Sequence, residues 1–261
     1  DSRYRETDMT TEDSPGLHDT MPAKPFWRTE LEQMARLGAP IVFTQLAWVA
    51  MLTTDTAMIG RLGPDALAGA SLSLMVFFMT WVFCFGVVMA TAALASQAFG
   101  ARKPRMVRRV IRQGFWVTII LTVPAMILFQ YTADLLGVLS QPAHILPYAD
   151  AYMSTLMWSL LPSIGFAVVR NFISSLNRPA PALWVMLAGV PLNGLLDYAL
   201  IFGNFGLPRM ELVGAGIATS VINWLMFLCL LAIAVFHKPF ARYAILGRFW
   251  RPDWFQFRQI F

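Results

Sequence analysis

ALAGASLSLMVFFMTWVFCFGVVMATAALASQA, residues 66–98, contains no acidic or basic side chain. Lipid offers a backbone no hydrogen-bond partner, so a run of about 20 apolar residues is read as a helix crossing a core of about 30 Å. This run exceeds that length, so its ends are expected to project into water or the helix to tilt. Five more segments meet the requirement, at about 38–60, 113–131, 149–172, 181–203 and 213–236. Composition agrees: 57% of the 261 residues are apolar by the AVILMFWYC count and 13% are charged, against about 25% charged in soluble domains. The expectation is an all-α polytopic membrane protein of six spans.

Charge sets the expected direction. GARKPRMVRRVIRQ, between the second and third spans, carries Arg102, Lys103, Arg105, Arg108, Arg109 and Arg112 and no acid. By the positive-inside bias that stretch is cytoplasmic. The loops at 61–65, 132–148 and 204–212 carry few positive charges, whereas Lys238, Arg242, Arg248, Arg251 and Arg258 follow the sixth span. Both termini are therefore expected in the cytoplasm. The net charge of +5 is taken up by this orientation, and no basic-aromatic face suggests a nucleic-acid partner. Residues 1–25 are acidic and poor in apolar runs and read as a disordered cytoplasmic tail, with no cleavable signal peptide. Residues 26–240 read as a six-helix transmembrane lobe and 241–261 as a linker leading into a second. Phe26-Trp27-Arg28 recurs as Phe249-Trp250-Arg251, each leading toward an apolar segment. That hint of duplication suggests a two-lobed protein cut as its carboxy-terminal lobe begins.

Two acids lie clearly inside spans, Asp55 and Asp197. A charge there is costly and calls for a function or a partner. At 1.5 Å per residue Asp55 lies about 7 Å below the outer end of its span, and Asp197 and Thr219 each about 9 Å below theirs. Asn193 is one turn deeper than Asp197 on the same helix face. Two carboxylates, an amide and a hydroxyl at one depth suit a proton or a small hard cation. The alternative is that both acids reach water at helix ends and that Asn193 and Thr219 only join helices. Pro40 either kinks the first span or starts it. Tyr152 is either an interfacial anchor or a cavity hydroxyl. Gly63-Pro64-Asp65 reads as a turn with a helix start. Met and Phe residues, 15 and 20 of them, read as lipid-facing and packing residues, with a greasy multispecific cavity as the other use. Cys84 and Cys229 fall in apolar runs, and His18, His144 and His237 lie in the tail, an outer loop and a cytoplasmic end. No nucleophile with a base and no His/Cys metal constellation is brought together, so no enzyme and no cofactor are expected.

Three stretches carry a family resemblance: LGAPIVFTQLAWVAMLTTDTAMIGRLGPDALAGASL (37–72), ATAALASQAFGARK (90–103) and PLNGLLDYALIFGNFGLPRMELVGAGIATSV (191–221). With the span spacing they resemble the multidrug and toxic compound extrusion (MATE) transporters, in their bacterial norfloxacin-resistance-type branch. The resemblance implies the amino-terminal half of a twelve-helix, two-lobe fold around a central cavity. It also implies a multi-pass protein of the bacterial inner membrane in which entry of H⁺ or Na⁺ drives export of cationic, often aromatic compounds. On the matching motifs, Asp55 corresponds to the first-helix acid of cation coupling and Pro40 to the proline at which that helix is proposed to bend. Asn193, Asp197 and Thr219 correspond to the polar residues of the amino-terminal cation site, which with Asp55 would ligate Na⁺ in a sodium-coupled member. Tyr152 corresponds to a tyrosine of the same cavity. Where the family often has a neutral polar residue, this chain has Arg170-Asn171, which stay unassigned. The other readings are a lipid-precursor flippase of a related lobed fold and a non-transporting scaffold or fragment. The expected partners are cationic small molecules, membrane lipid and the absent carboxy-terminal lobe.

Overall fold

The computed structural model describes residues 26–238 and 240–243. The expected tail at 1–25, the Phe249-Trp250-Arg251 recurrence and nearly all of the 241–261 linker lie outside the described residues. Six helices are long and apolar enough to cross a membrane, with spans Gly38–Gly60, Pro64–Gly100, Pro104–Phe129, Leu146–Ser175, Ala180–Phe202 and Glu211–Phe236. The six expected spans are all present, and their boundaries differ in instructive ways.

The first helix, α1 (Phe26–Gly60), runs through Pro40 without interruption. Its polar positions are tolerated because Thr44, Thr53, Thr54 and Thr56 each donate their hydroxyl to the carbonyl four residues earlier, at 2.6–2.9 Å. These back-bonds satisfy the hydroxyls without a second helix. A tight turn follows, in which Gly63 takes φ 125°, a conformation open to glycine and strained for other residues. Pro64 then starts α2 (Pro64–Gly100), with Asp65 in its first turn, where the helix dipole favours an acid. At 37 residues, α2 is about 55 Å long, well over the thickness of a bilayer core.

The basic stretch after α2 is not a loop, which corrects the expected start of the third span at 113. Only residues 101–103 separate α2 from α3 (Pro104–Phe129). Pro104 supplies the φ that a first helical turn needs and lacks only an N–H that would have gone unpaired there. Arg105, Arg108, Arg109 and Arg112 therefore lie on the first turns of a helix, and Arg112 is buried. A second departure is α4 (Thr132–Val138), a helix too short to show an apolar period. The fourth span is α5 (Leu146–Leu156) and α6 (Leu160–Ser175), joined by a 3₁₀ turn at Met157–Ser159. Pro162, just beyond that turn, has no N–H to return to residue 158, which accounts for the local change of helix type. The bundle closes with α7 (Ala180–Phe202) and α8 (Glu211–Phe236).

The fourth span is the axis of the bundle. Its most apolar stretch is 78% buried, against 17% for α2 and 22% for α1. Around it, α2 packs on α3, α5 and α6, while α7 packs between α1 and α8. Ile111, Phe115, Ile164, Phe172 and Leu230 form part of the shared core. Close approach of α8 to α5 depends on Gly216, since a Cβ there would collide with the Thr155 hydroxyl. These contacts bring the carboxy-terminal halves of α1 and α7 and the amino-terminal half of α8 together beside α5.

Candidate functional site

Asp55 on α1, Asn193 and Asp197 on α7 and Thr219 on α8 meet at one point, all of them buried. Asp197 follows Asn193 by one helical turn, so the two side chains share a face. Asn193 Nδ2 uses both of its hydrogens, donating to Asp55 Oδ1 at 2.5 Å and to Asp197 Oδ2 at 2.7 Å. The amide thus bridges two carboxylates from different helices. Thr219 Oγ1 lies 3.3 Å from Asp55 Oδ2 and 3.0 Å from the Ala215 carbonyl. One hydroxyl proton cannot serve both acceptors fully, so Thr219 can donate to either. The common depth expected from helix rise is realised as direct contact.

The cluster is rich in acceptors and short of donors. Asn193 Oδ1 and Asp197 Oδ1 are buried without a hydrogen-bond partner among the described residues. Leaving such oxygens unmatched is costly in a low-dielectric interior, and an ion is one of the ways a protein satisfies them. No basic side chain among the described residues pairs with Asp55 or Asp197. The donor set fits a proton or a small hard cation: carboxylate, amide and hydroxyl oxygens with no soft ligand.

Asp55 and Thr219 also face a cavity of about 470 Å³, within the range that holds drug-sized molecules. Tyr152 lines it and is 1% exposed. Asn193 and Asp197 do not line the cavity; they stand behind Asp55. Pro40 lies fifteen residues before Asp55, about 22 Å along α1, and touches neither the cluster nor the cavity. Asp65 is exposed at the start of α2, 3.9 Å from His144.

Sequence reasoning passed over the aromatic wall of this cavity. Trp48 stacks on Trp81 with ring centres 6.0 Å apart, and Phe78 on Trp81 at 6.2 Å. The spacing of 78, 81 and 85 on one helix was the available signal, hidden among many aromatic residues with packing roles.

A family profile, MatE, matches residues 40–199. Two relatives are each described as "Probable multidrug resistance protein NorM". The one from Bradyrhizobium diazoefficiens is 42% identical over 88% of this chain and 50% of its own length. The one from Rhodopseudomonas palustris is 44% identical over 87% of this chain and 48% of its own. The chain spans about half the length of the curated relatives it matches. Among solved structures, the outward-facing conformation of a multidrug resistance MATE family transporter of the MOP superfamily superposes with a TM-score of 0.77. That match is at 21% identity, over 87% of this chain and 50% of the other. The eukaryotic MATE transporter AtDTX14 also gives 0.77 at 21% identity, over 90% and 51%.

Proposed function

The chain belongs to the MatE family, whose members are transporters and not enzymes, and from that premise we propose that it is the ion-coupling lobe of a secondary active antiporter. Residues 26–240 act as the amino-terminal lobe, facing a second six-helix unit across a central cavity in the bacterial inner membrane. The lobe exports cationic, aromatic organic compounds in exchange for H⁺ or Na⁺.

The observation that carries the reading is the amide bridge of Asn193 between Asp55 and Asp197, with Asp55 at the wall of an aromatic cavity. Two buried carboxylates with one amide between them carry more negative charge than their neighbours offset. A proton or Na⁺ supplies the balance, and the unmatched Asn193 Oδ1 and Asp197 Oδ1 are available to it. A cationic substrate in the cavity reaches the same balance through Asp55, because among the described residues only that acid lines the space. Ion and substrate then compete for one charge. When Asp55 gives up its share, the Thr219 hydroxyl can return to the Ala215 carbonyl, so the donor is satisfied in both states. Coupling further requires the two cavity orientations to bind ion and substrate with different affinity.

Binding of an aromatic cation, rhodamine B ethyl ester, to the purified chain in lipid nanodiscs tests the reading. Its apparent affinity should fall as proton or sodium concentration rises, and Asp55→Asn should remove that dependence. An affinity indifferent to both ions and to Asp55→Asn would overturn the proposal.

A further inference from the structure

Arg170 lies inside the fourth span near the end of α6, half-buried, and the antiport chemistry makes no use of it. Among the described residues its guanidinium has no carboxylate partner and no hydrogen bond. Its one specific contact is with an aromatic face, the Phe85 ring at 5.8 Å. Charged side chains persist inside spans where they face a partner or a cavity, and their position marks the path of a ligand.

Arg170 does face a cavity. A second space of about 190 Å³ is lined by Arg170 and also by Trp48, Phe78, Trp81 and Asn223, all of which line the larger cavity as well. The two spaces share one wall. Phe85 stacks on Trp81 at 4.8 Å with the rings 8° from parallel, and Trp81 stacks in turn on Trp48 at 6.0 Å. Trp48 precedes Asp55 by two helical turns, and Phe85 follows Trp81 by one, which separates the two charges by on the order of 15 Å of helix rise. A strip of flat rings therefore lies between a carboxylate two helical turns beyond Trp48 and a guanidinium that is unpaired among the described residues.

We propose that Arg170 is an anion-accepting subsite of this cavity, so that the lobe binds flat aromatic carboxylates, zwitterions included, with the carboxylate at Arg170 and any cationic end toward Asp55. A guanidinium lying on an aromatic ring keeps its N–H edge free for a carboxylate, which it holds through paired hydrogen bonds. The ring strip takes the aromatic body by stacking. The inference rests on the cavity being the substrate site, and what it adds is the residue that takes the anionic end of such a molecule.

The test compares two probes on the purified chain in phosphatidylcholine nanodiscs by fluorescence anisotropy: rhodamine B, which carries a free carboxylate, and its ethyl ester, a cation on the same ring system. Arg170→Gln should weaken rhodamine B about tenfold, the loss expected for a charge-assisted hydrogen-bonded contact, and leave the ester unchanged. Arg170→Lys should recover part of the loss. Equal effects on both probes, or no effect on rhodamine B, would overturn the subsite while the ester and Asp55→Asn still report on the cavity. Absence of ester binding to the unsubstituted chain would bring down the cavity reading and this inference with it. Displacement of rhodamine B by added phosphatidylglycerol, abolished by Arg170→Gln, would assign the guanidinium to a lipid headgroup instead and overturn the proposal.

Discussion

Asn193 is the residue on which the cluster depends, because a single amide occupies donor sites on two carboxylates at once. Asn193→Leu keeps the volume but leaves two buried acids facing each other without the amide that bridges them, which should cost about 1–3 kcal/mol. A lowered melting temperature in detergent, partly restored by sodium or by lower pH, is the expected outcome; an unchanged melting curve under all conditions would mean that the amide is incidental. Asp55→Asn and Asp197→Asn should each weaken the competition of H⁺ or Na⁺ against the ester probe tenfold or more. The double substitution should be little worse than either, since residues of one network do not add independently. Asp65→Asn, at an exposed helix start, serves as the control, and strictly additive losses at Asp55 and Asp197 would separate them into two sites. The cluster was legible in the sequence because helix rise alone fixes depth, whatever the packing. Which of its members faces the cavity was not legible: the separation of Asp55 at the cavity wall from Asp197 behind it depends on how α1 and α7 are rotated about their axes. The same dependence hid the placement of Trp48 and Trp81 at the cavity, since their types and spacing equally suit a lipid-facing surface.

Among the elements, α5 and α8 set the geometry that the site inherits. Thr155 and Gly216 are in contact where the two helices come closest, and Ser220 Oγ reinforces the pair by donating to the Thr155 carbonyl at 2.7 Å. Thr219 is the neighbouring residue, so displacing α8 moves its hydroxyl away from Asp55. Gly216→Val should therefore cost about 1–3 kcal/mol through overpacking and weaken ion competition as well. Gly86, with nothing near the place of a Cβ, gives the opposite expectation. Gly86→Ala in the interior of α2 should raise stability by about 0.5–1 kcal/mol and leave probe binding as it was. Thermal denaturation and probe binding measured together check both, and a neutral Gly216→Val would remove the packing argument. Helix identity was readable from apolar length, whereas helix ends were not. The early start of α3 was masked by its arginines, which resemble a solvated loop although they are good helix formers. The 3₁₀ turn within the fourth span left only Pro162 as a trace in the sequence.

At the scale of the whole molecule, the distribution of charge predicts the orientation of the bundle in the membrane. Arg102, Lys103, Arg105, Arg108 and Arg109 cluster at the α2–α3 end of the bundle, while the α7–α8 connection at 203–210 carries only Arg209. Arg209 is itself paired with Glu211 at 3.1 Å. Each positive charge near a span end biases that end toward the cytoplasm, so five basic residues against one neutralised residue should place the α2–α3 turn inside and the α7–α8 connection outside. That arrangement puts the Asp55 cluster in the outer half of the membrane and Arg170 in the inner half, with the aromatic strip between them. Labelling of single cysteines in intact cells tests it, on a background in which Cys84 and Cys229 are replaced by serine. A membrane-impermeant maleimide should modify Gly206→Cys directly and Arg105→Cys only after the cells are opened. The reverse pattern would invert the lobe and place the acids on the cytoplasmic side, where an inward gradient of H⁺ or Na⁺ could not load them first, and the antiport reading would fall with the topology.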